Sequence, residues 1–236
     1  MKQTIFIGYE PRETNAYLVA CASIRRYWPD APIQPLVLDR LRMSGLYERE
    51  ILKRNGRMFD VISDAPMSTE FAISRFFTPL LAAGGLALFM DCDMLVRTDL
   101  RELFQLADPH KAVMCVQHEH EPQHQTKMDA QVQLRYKRKN WSSVALYQTN
   151  HVANRQLTLP LLNALPGRDL HAFCWVKDED IGALSEEWNY LVGKSPDAID
   201  PKIVHFTDGI PSMPGYEDCK YAAEWRDVLW SCLDEL

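Results

Sequence analysis

Leu86-Ala87-Leu88-Phe89-Met90-Asp91-Cys92-Asp93 is the stretch on which the fold turns. Five uninterrupted apolar residues read as a central strand covered on both faces. The strand then delivers two carboxylates, two residues apart, at its C-terminal end, where open α/β sheets bind their ligands. Side chains alternate along an extended chain, so Asp91 and Asp93 share one face while Cys92 points away.

Working outward, Ser68 is positioned to cap a helix over Thr69 to Ala83. Glu70 stands in its first turn, Pro79 should kink it and Gly84-Gly85 should end it. Toward the N-terminus, Thr4-Ile5-Phe6-Ile7 reads as a buried strand closed by Gly8, and Ala16 to Tyr27 as a helix. Ile33 to Leu38 is a second strand, placed at an edge by Pro32 and Pro35. Leu46 to Lys53 is expected to be a short helix and Val61-Ile62 a short strand. Beyond the acidic pair, Asp99 starts a helix, Ala112 to Val116 is a strand, and Val144 to Tyr147 is another. Asn154 to Leu165 and Asp178 to Leu184 read as helices, with short strands at Leu191-Val192 and Ile203 to Phe206. Strands alternating with helices imply an α/β fold with a mostly parallel central sheet. The stretch 117–140 lacks periodicity and reads as a loop-rich insertion in a single domain of residues 1–236.

The 236 residues are 47% hydrophobic and 25% charged, which excludes a disordered chain, a collagen-like repeat and a coiled coil. A net charge of −6 argues against a general nucleic-acid binder, which needs a basic excess. The longest uncharged run, Phe76 to Met90, is broken by Pro79 and Gly84-Gly85 and falls short of the roughly 20 apolar residues of a spanning helix. No secretory signal or transmembrane segment is expected. Six cysteines without a CxxC pair suit free thiols and a cytoplasmic protein.

Paired carboxylates suit a hard divalent cation, Mn²⁺ or Mg²⁺; they also suit a strand-end turn. His205 closes the run Ile203-Val204 and precedes a glycine turn, so it offers a nitrogen ligand, or else a half-buried packing histidine. Asp178-Glu179-Asp180 either answer a helix dipole or steady a developing positive charge. Arg75 can pair a diphosphate or form a surface ion pair. Tyr9 can stack on a nucleobase or cover the sheet edge. His118-Glu119-His120-Glu121 with His124 lacks the spacing of a dedicated zinc site. Arg135, Lys137, Arg138 and Lys139, with Tyr136 and Trp141, form a solvated face or a dock for an anionic acceptor.

These pieces together resemble the glycogenin-like retaining glycosyltransferases, family eight of the nucleotide-sugar enzymes. Ser74-Arg75-Phe76-Phe77-Thr78-Pro79-Leu80-Leu81 resembles the helix whose Arg faces the donor. Leu88 to Val96, followed by Asp99-Leu100, resembles that family's metal-binding strand. Asp178-Glu179-Asp180-Ile181, Trp188-Asn189 and Val204-His205-Phe206 with Gly209 match later motifs in order. The family's Lys in the last loop and its Asn-Ala-Gly segment are absent; Ile210 to Pro214 and Trp141-Ser142-Ser143-Val144 stand there. The resemblance implies an A-type (Rossmann-like) glycosyltransferase fold and a nucleoside diphosphate sugar donor, UDP being the expected nucleotide. The acceptor would be an unassigned glycan, lipid or protein. It implies metal ligation by Asp91, Asp93 and His205, donor contacts from Gly8, Tyr9, Arg75, Asp91, Cys92, Asp93 and Gly209, and catalysis by Asp178 or Glu179. Two other readings of the residues are a DxD phosphatase-like hydrolase and a non-catalytic nucleotide- or glycan-binding module.

Overall fold

The computed structural model describes residues 1–54, 56–119, 138 and 140–234. Its strands are β1 (Gln3–Gly8), β2 (Ile33–Leu36), β3 (Ile51–Arg54), β4 (Arg57–Asp60), β5 (Ala65–Pro66), β6 (Leu86–Met90), β7 (Met94–Val96), β8 (Val113–Val116), β9 (Val144–Gln148), β10 (Ile181–Leu184), β11 (Tyr190–Leu191) and β12 (Ile203–His205). Six of them form a central sheet in the order β10-β8-β9-β6-β1-β2. β9 alone runs against the other five, so the sheet is mixed yet mostly parallel. All five residues of β6 are buried, as an apolar run between two neighbours requires. β2 lies at the edge, where Pro35 removes no ladder bond that the sheet needs. The helix Thr14–Tyr27 presents Ala16, Val19, Ala20 and Ile24 to the core and packs against β7 and the C-terminal helix Ala222–Asp234.

A second sheet, β11-β12-β7, sets up the site. β7 begins directly after Asp93 and pairs antiparallel with β12, with His205 opposite Met94. The Phe206 amide then donates to the Asp93 carbonyl at 2.9 Å, which carries β12 to the end of the acidic stretch.

Several expected elements differ. The segment expected to be a helix over Leu46–Lys53 instead enters a hairpin, β3 and β4, continued by β5. Its root is the buried Arg49, which donates to Asp60 at 2.9 and 2.5 Å and to the Leu162 and Leu165 carbonyls. Val61 and Ile62 are part of the following turn and stand partly exposed. The helix expected over Thr69–Ala83 is three short turns, Phe71–Ser74, Arg75–Phe77 and Thr78–Leu81, with Pro79 in the first turn of the last, where its missing N–H costs least. Ser68 makes no side-chain cap; its carbonyl accepts from Arg12 instead. Asn154–Leu165 is two helices, Val152–Gln156 and Leu159–Ala164, separated by Leu157-Thr158 ahead of Pro160. Asp178–Asp180 is one tight turn leading into β10, not a helix start, because Ile181–Leu184 pair in register with Val113–Val116. Most of the expected insertion 117–140, including His120, Glu121, His124 and the basic run apart from Arg138, lies outside the described residues. No disulfide joins any of the six cysteines among the described residues. Among the described residues no helix is long and apolar enough to cross a membrane.

Candidate active site

Asp91, Asp93 and His205 meet at the C-terminal end of β6. One potential ligand atom from each lies within 4.8 Å of the others. They line a cleft of about 370 Å³ together with Glu13, Arg75, Ser142, Ser143 and His171. Asp91 and Asp93 do share a face, while the Cys92 side chain is fully buried, its Sγ 3.9 Å from Glu13 Oε2.

Each ligand candidate is held by a neighbour. Arg75 Nη1 lies 2.9 Å from Asp91 Oδ1. The same nitrogen donates to the Ser142 carbonyl at 3.1 Å. The two oxygens share Nη1, so the Arg75 guanidinium answers the Asp91 charge while it anchors the Ser142 backbone. Arg75 itself is buried, its guanidinium 5.3 Å from the Phe71 ring centroid and 5.1 Å from that of Phe89. His205 Nε2 is 3.4 Å from Asp93 Oδ2, and its Nδ1 is 2.9 Å from Asn189 Oδ1. Asn189 spends its amide protons on Ser143 Oγ and the Asn140 carbonyl, so its Oδ1 must accept from His205 Nδ1–H. That tautomer leaves Nε2 facing the carboxylates.

The charges are strongly coupled. Burial pushes Asp91 up to about 6, with Arg75 pulling down and Asp93 pushing up. Burial also works to raise Asp93, but His205 and its hydrogen bond outweigh this and hold the carboxyl below its usual range. Burial opposes charge on His205, yet the two aspartates raise its pKa. Asp93 Oδ1 is buried without a hydrogen-bond donor among the described residues, whereas Asp91 Oδ1 faces the Arg75 nitrogen that it shares with the Ser142 carbonyl. A buried carboxylate oxygen left without a donor is costly unless a cation satisfies it. With the free imidazole nitrogen the two carboxylates form a donor set that fits Mn²⁺ or Mg²⁺.

Other residues singled out in the sequence fall elsewhere. Gly8 and Gly209 are close-approach positions: a Cβ at Gly8 would meet the Phe71 ring at 2.4 Å, and one at Gly209 the Tyr216 ring at 2.5 Å. Tyr9 packs edge-on against Tyr17, its hydroxyl 3.5 Å from Thr14 Oγ1, outside the cleft lining. Asp178 is exposed and pairs with Arg138 at 2.5 Å; Glu179 is exposed beside Lys177. Neither lines the cleft. β10 runs parallel to β6, so the turn that feeds β10 lies at the end of the sheet opposite Asp91.

Glu13 and His171 carry no local motif and join the cleft only through packing, while Ser142 belongs to the segment that stands where the resembling family has Asn-Ala-Gly. Glu13 is strongly perturbed. Burial raises its carboxyl to about 7, with Asp93 and Glu10 adding to the shift. Arg12, one residue away, is taken by Glu10 at 2.6 Å.

An α/β sheet with an aspartate pair at the end of its central strand, closed by a histidine from a small second sheet, is the A-type glycosyltransferase fold, and solved structures agree. The galactosyltransferase LgtC, in complex with donor and acceptor sugar analogs, matches 98% of this chain and 96% of its own, at a TM-score of 0.57 and 15% identity. GlyE from Streptococcus pneumoniae TIGR4 matches 99% of this chain at a TM-score of 0.59 and 14% identity, and the bifunctional WbbM 96% at 0.62 and 14%. The chain spans about half of WbbM (49%) and 63% of GlyE. At such identities the shared property is the fold. The chain belongs to the family of Protein CDI of Arabidopsis thaliana, to which it is 42% identical over 233 residues, 95% of this chain and 85% of that protein. No family model matches it.

Proposed function

We propose that this protein is a metal-dependent glycosyltransferase of the glycogenin-like retaining kind. It moves a sugar from a nucleoside diphosphate sugar, UDP being the expected nucleotide, to an acceptor hydroxyl. One observation carries the reading: Asp91, Asp93 and His205 converge at the end of the central strand, where Asp93 Oδ1 is buried with no hydrogen-bond donor among the described residues. The likeness in fold to the galactosyltransferase LgtC, solved in complex with donor and acceptor sugar analogs, supports the reading.

Glycosyl transfer expels a diphosphate, and a bound divalent cation neutralises the charge that develops there. The chain's own residues prepare that place. Arg75 holds Asp91 in line and brings a buried positive charge to the cleft wall, rather than reaching out as a free phosphate clamp. Asn189 fixes the tautomer of His205, and Asp93 orients its other nitrogen.

The test is UDP binding with Mn²⁺ and with EDTA. Asp93→Asn should lower UDP affinity in Mn²⁺ and leave it unchanged in EDTA. Equal losses in both conditions would assign Asp93 to the fold alone. Metal-linked UDP binding without turnover of any UDP sugar would reduce the protein to a binding module.

A further inference from the structure

We infer that Ser142 and His171 form a fixed hydrogen-bond acceptor on the cleft wall, which reads a hydroxyl group of the donor's sugar. This rests on the donor reading above and goes beyond it, since it names a recognition element built from two side chains that both line the cleft.

The geometry fixes the direction of the proton. Ser142 Oγ lies 2.8 Å from His171 Nδ1. The Ala72 carbonyl accepts from the same imidazole, which places the ring's N–H on that side. Nδ1 is then bare, so Ser142 donates its only hydroxyl proton to it. The serine oxygen keeps its lone pairs, and Ser142 and His171 both line the cleft. The Ser142 backbone is anchored by Arg75, which donates to its carbonyl and also pairs Asp91. His171 is wedged edge-on against Phe76, with ring centroids 4.9 Å apart. The acceptor is thus rigidly tied to the metal-binding end of β6.

A serine beside a histidine also suggests a nucleophile and its base. The surroundings oppose that role. Burial, with the Arg75 guanidinium nearby, pushes the imidazole down to about 3. A base must take up a proton during the reaction, and an imidazolium beside Arg75 is strongly disfavoured. A ring that stays neutral serves instead as a permanent acceptor. It makes Ser142 read O–H donors, the groups a sugar ring presents in abundance.

The test measures binding of UDP and of a panel of UDP sugars (UDP-glucose, UDP-galactose and UDP-N-acetylglucosamine) in Mn²⁺. Ser142→Ala should weaken the best-bound UDP sugar about three- to tenfold, the worth of one neutral hydrogen bond, and leave UDP unchanged. His171→Leu should cause a similar selective loss, and the double variant no further loss, because the pair acts as a unit. His171→Asn keeps an acceptor near the Nδ1 position and should restore most of the affinity. Where wild-type protein binds UDP and a UDP sugar, an unchanged sugar affinity in Ser142→Ala, or equal losses for UDP and UDP sugar, overturns the inference and leaves the donor reading standing. A wild-type protein that binds neither UDP nor any UDP sugar in Mn²⁺ overturns both.

Discussion

His205 joins the metal set through two contacts that the sequence does not show together. Asn189 takes its Nδ1 proton and Asp93 faces its Nε2. Metal binding needs a neutral imidazole, and the aspartates raise the pKa of this one. Protons therefore compete with the metal at higher pH than for an ordinary histidine of about 6.5. Mn²⁺ affinity should keep rising as pH climbs above that value, and His205→Asn should weaken binding and flatten the profile. A pH-independent Mn²⁺ affinity in the wild-type protein would remove His205 from the ligand set. Glu13 supplies a second test at this scale. Its carboxyl is raised from 4.5 to about 7, so between those values the folded state binds more protons than the unfolded chain. Stability attributable to this group then falls as pH rises through the window, and the deficit is complete above pH 7. Glu13→Gln removes the deficit. With EDTA present, its melting temperature should exceed wild type above pH 7 and converge with it below about pH 4.5. A difference of the same size at both ends would assign the effect to packing.

The elements that could be read from the sequence were those whose residues state their own environment. β6 is apolar throughout and is buried throughout. β2 carries Pro35 and lies at the edge. The hairpin β3–β4 was misread because Leu46 to Lys53 has helix-like apolar spacing, while the Asn55-Gly56 dipeptide after it carries the stronger hairpin signal. What decides that region is Arg49, which reaches Asp60 in the next strand and two carbonyls more than 110 residues away. Local pattern cannot report such a long-range partner. The site was legible to a similar degree. Asp91, Asp93 and His205 lie at strand ends and could be named, whereas Glu13, Ser142 and His171 become cleft residues only once three segments have packed. The Arg49–Asp60 pair is fully buried. Removing one partner leaves an unpaired charge, so Arg49→Met should cost about 3–5 kcal/mol in chemical denaturation. A loss near zero would mean that the hairpin stands without this anchor.

At the scale of the molecule, strand direction decides which acids can reach the chemistry. Asp178 and Glu179 match a family motif in order along the chain, and on that ground were expected to act on the transferred sugar. In the structure neither residue lines the cleft. β6, β8 and β10 run the same way, so the C-terminal end of β6, with Asp91, faces one side, and the turn Asp178–Asp180 that feeds β10 faces the other. The turn is also spoken for locally. Arg138 bridges Asp178 to the Ala172 carbonyl, and Lys111 donates to the Glu179 carbonyl at 2.6 Å. An exposed ion pair of this kind contributes little to stability, about 0–1 kcal/mol. Asp178→Asn and Glu179→Gln should therefore leave the melting temperature, Mn²⁺-linked UDP affinity and UDP-sugar turnover close to wild type, while Asp93→Asn measured alongside loses the metal-linked affinity. A drop in turnover of about 100-fold in Asp178→Asn, with folding and UDP binding intact, is the signature of lost charge stabilisation at a reacting centre. It would require the 178–180 turn to swing around the end of the sheet to the cleft during catalysis, and would return the catalytic role to the acids that the sequence motif first suggested.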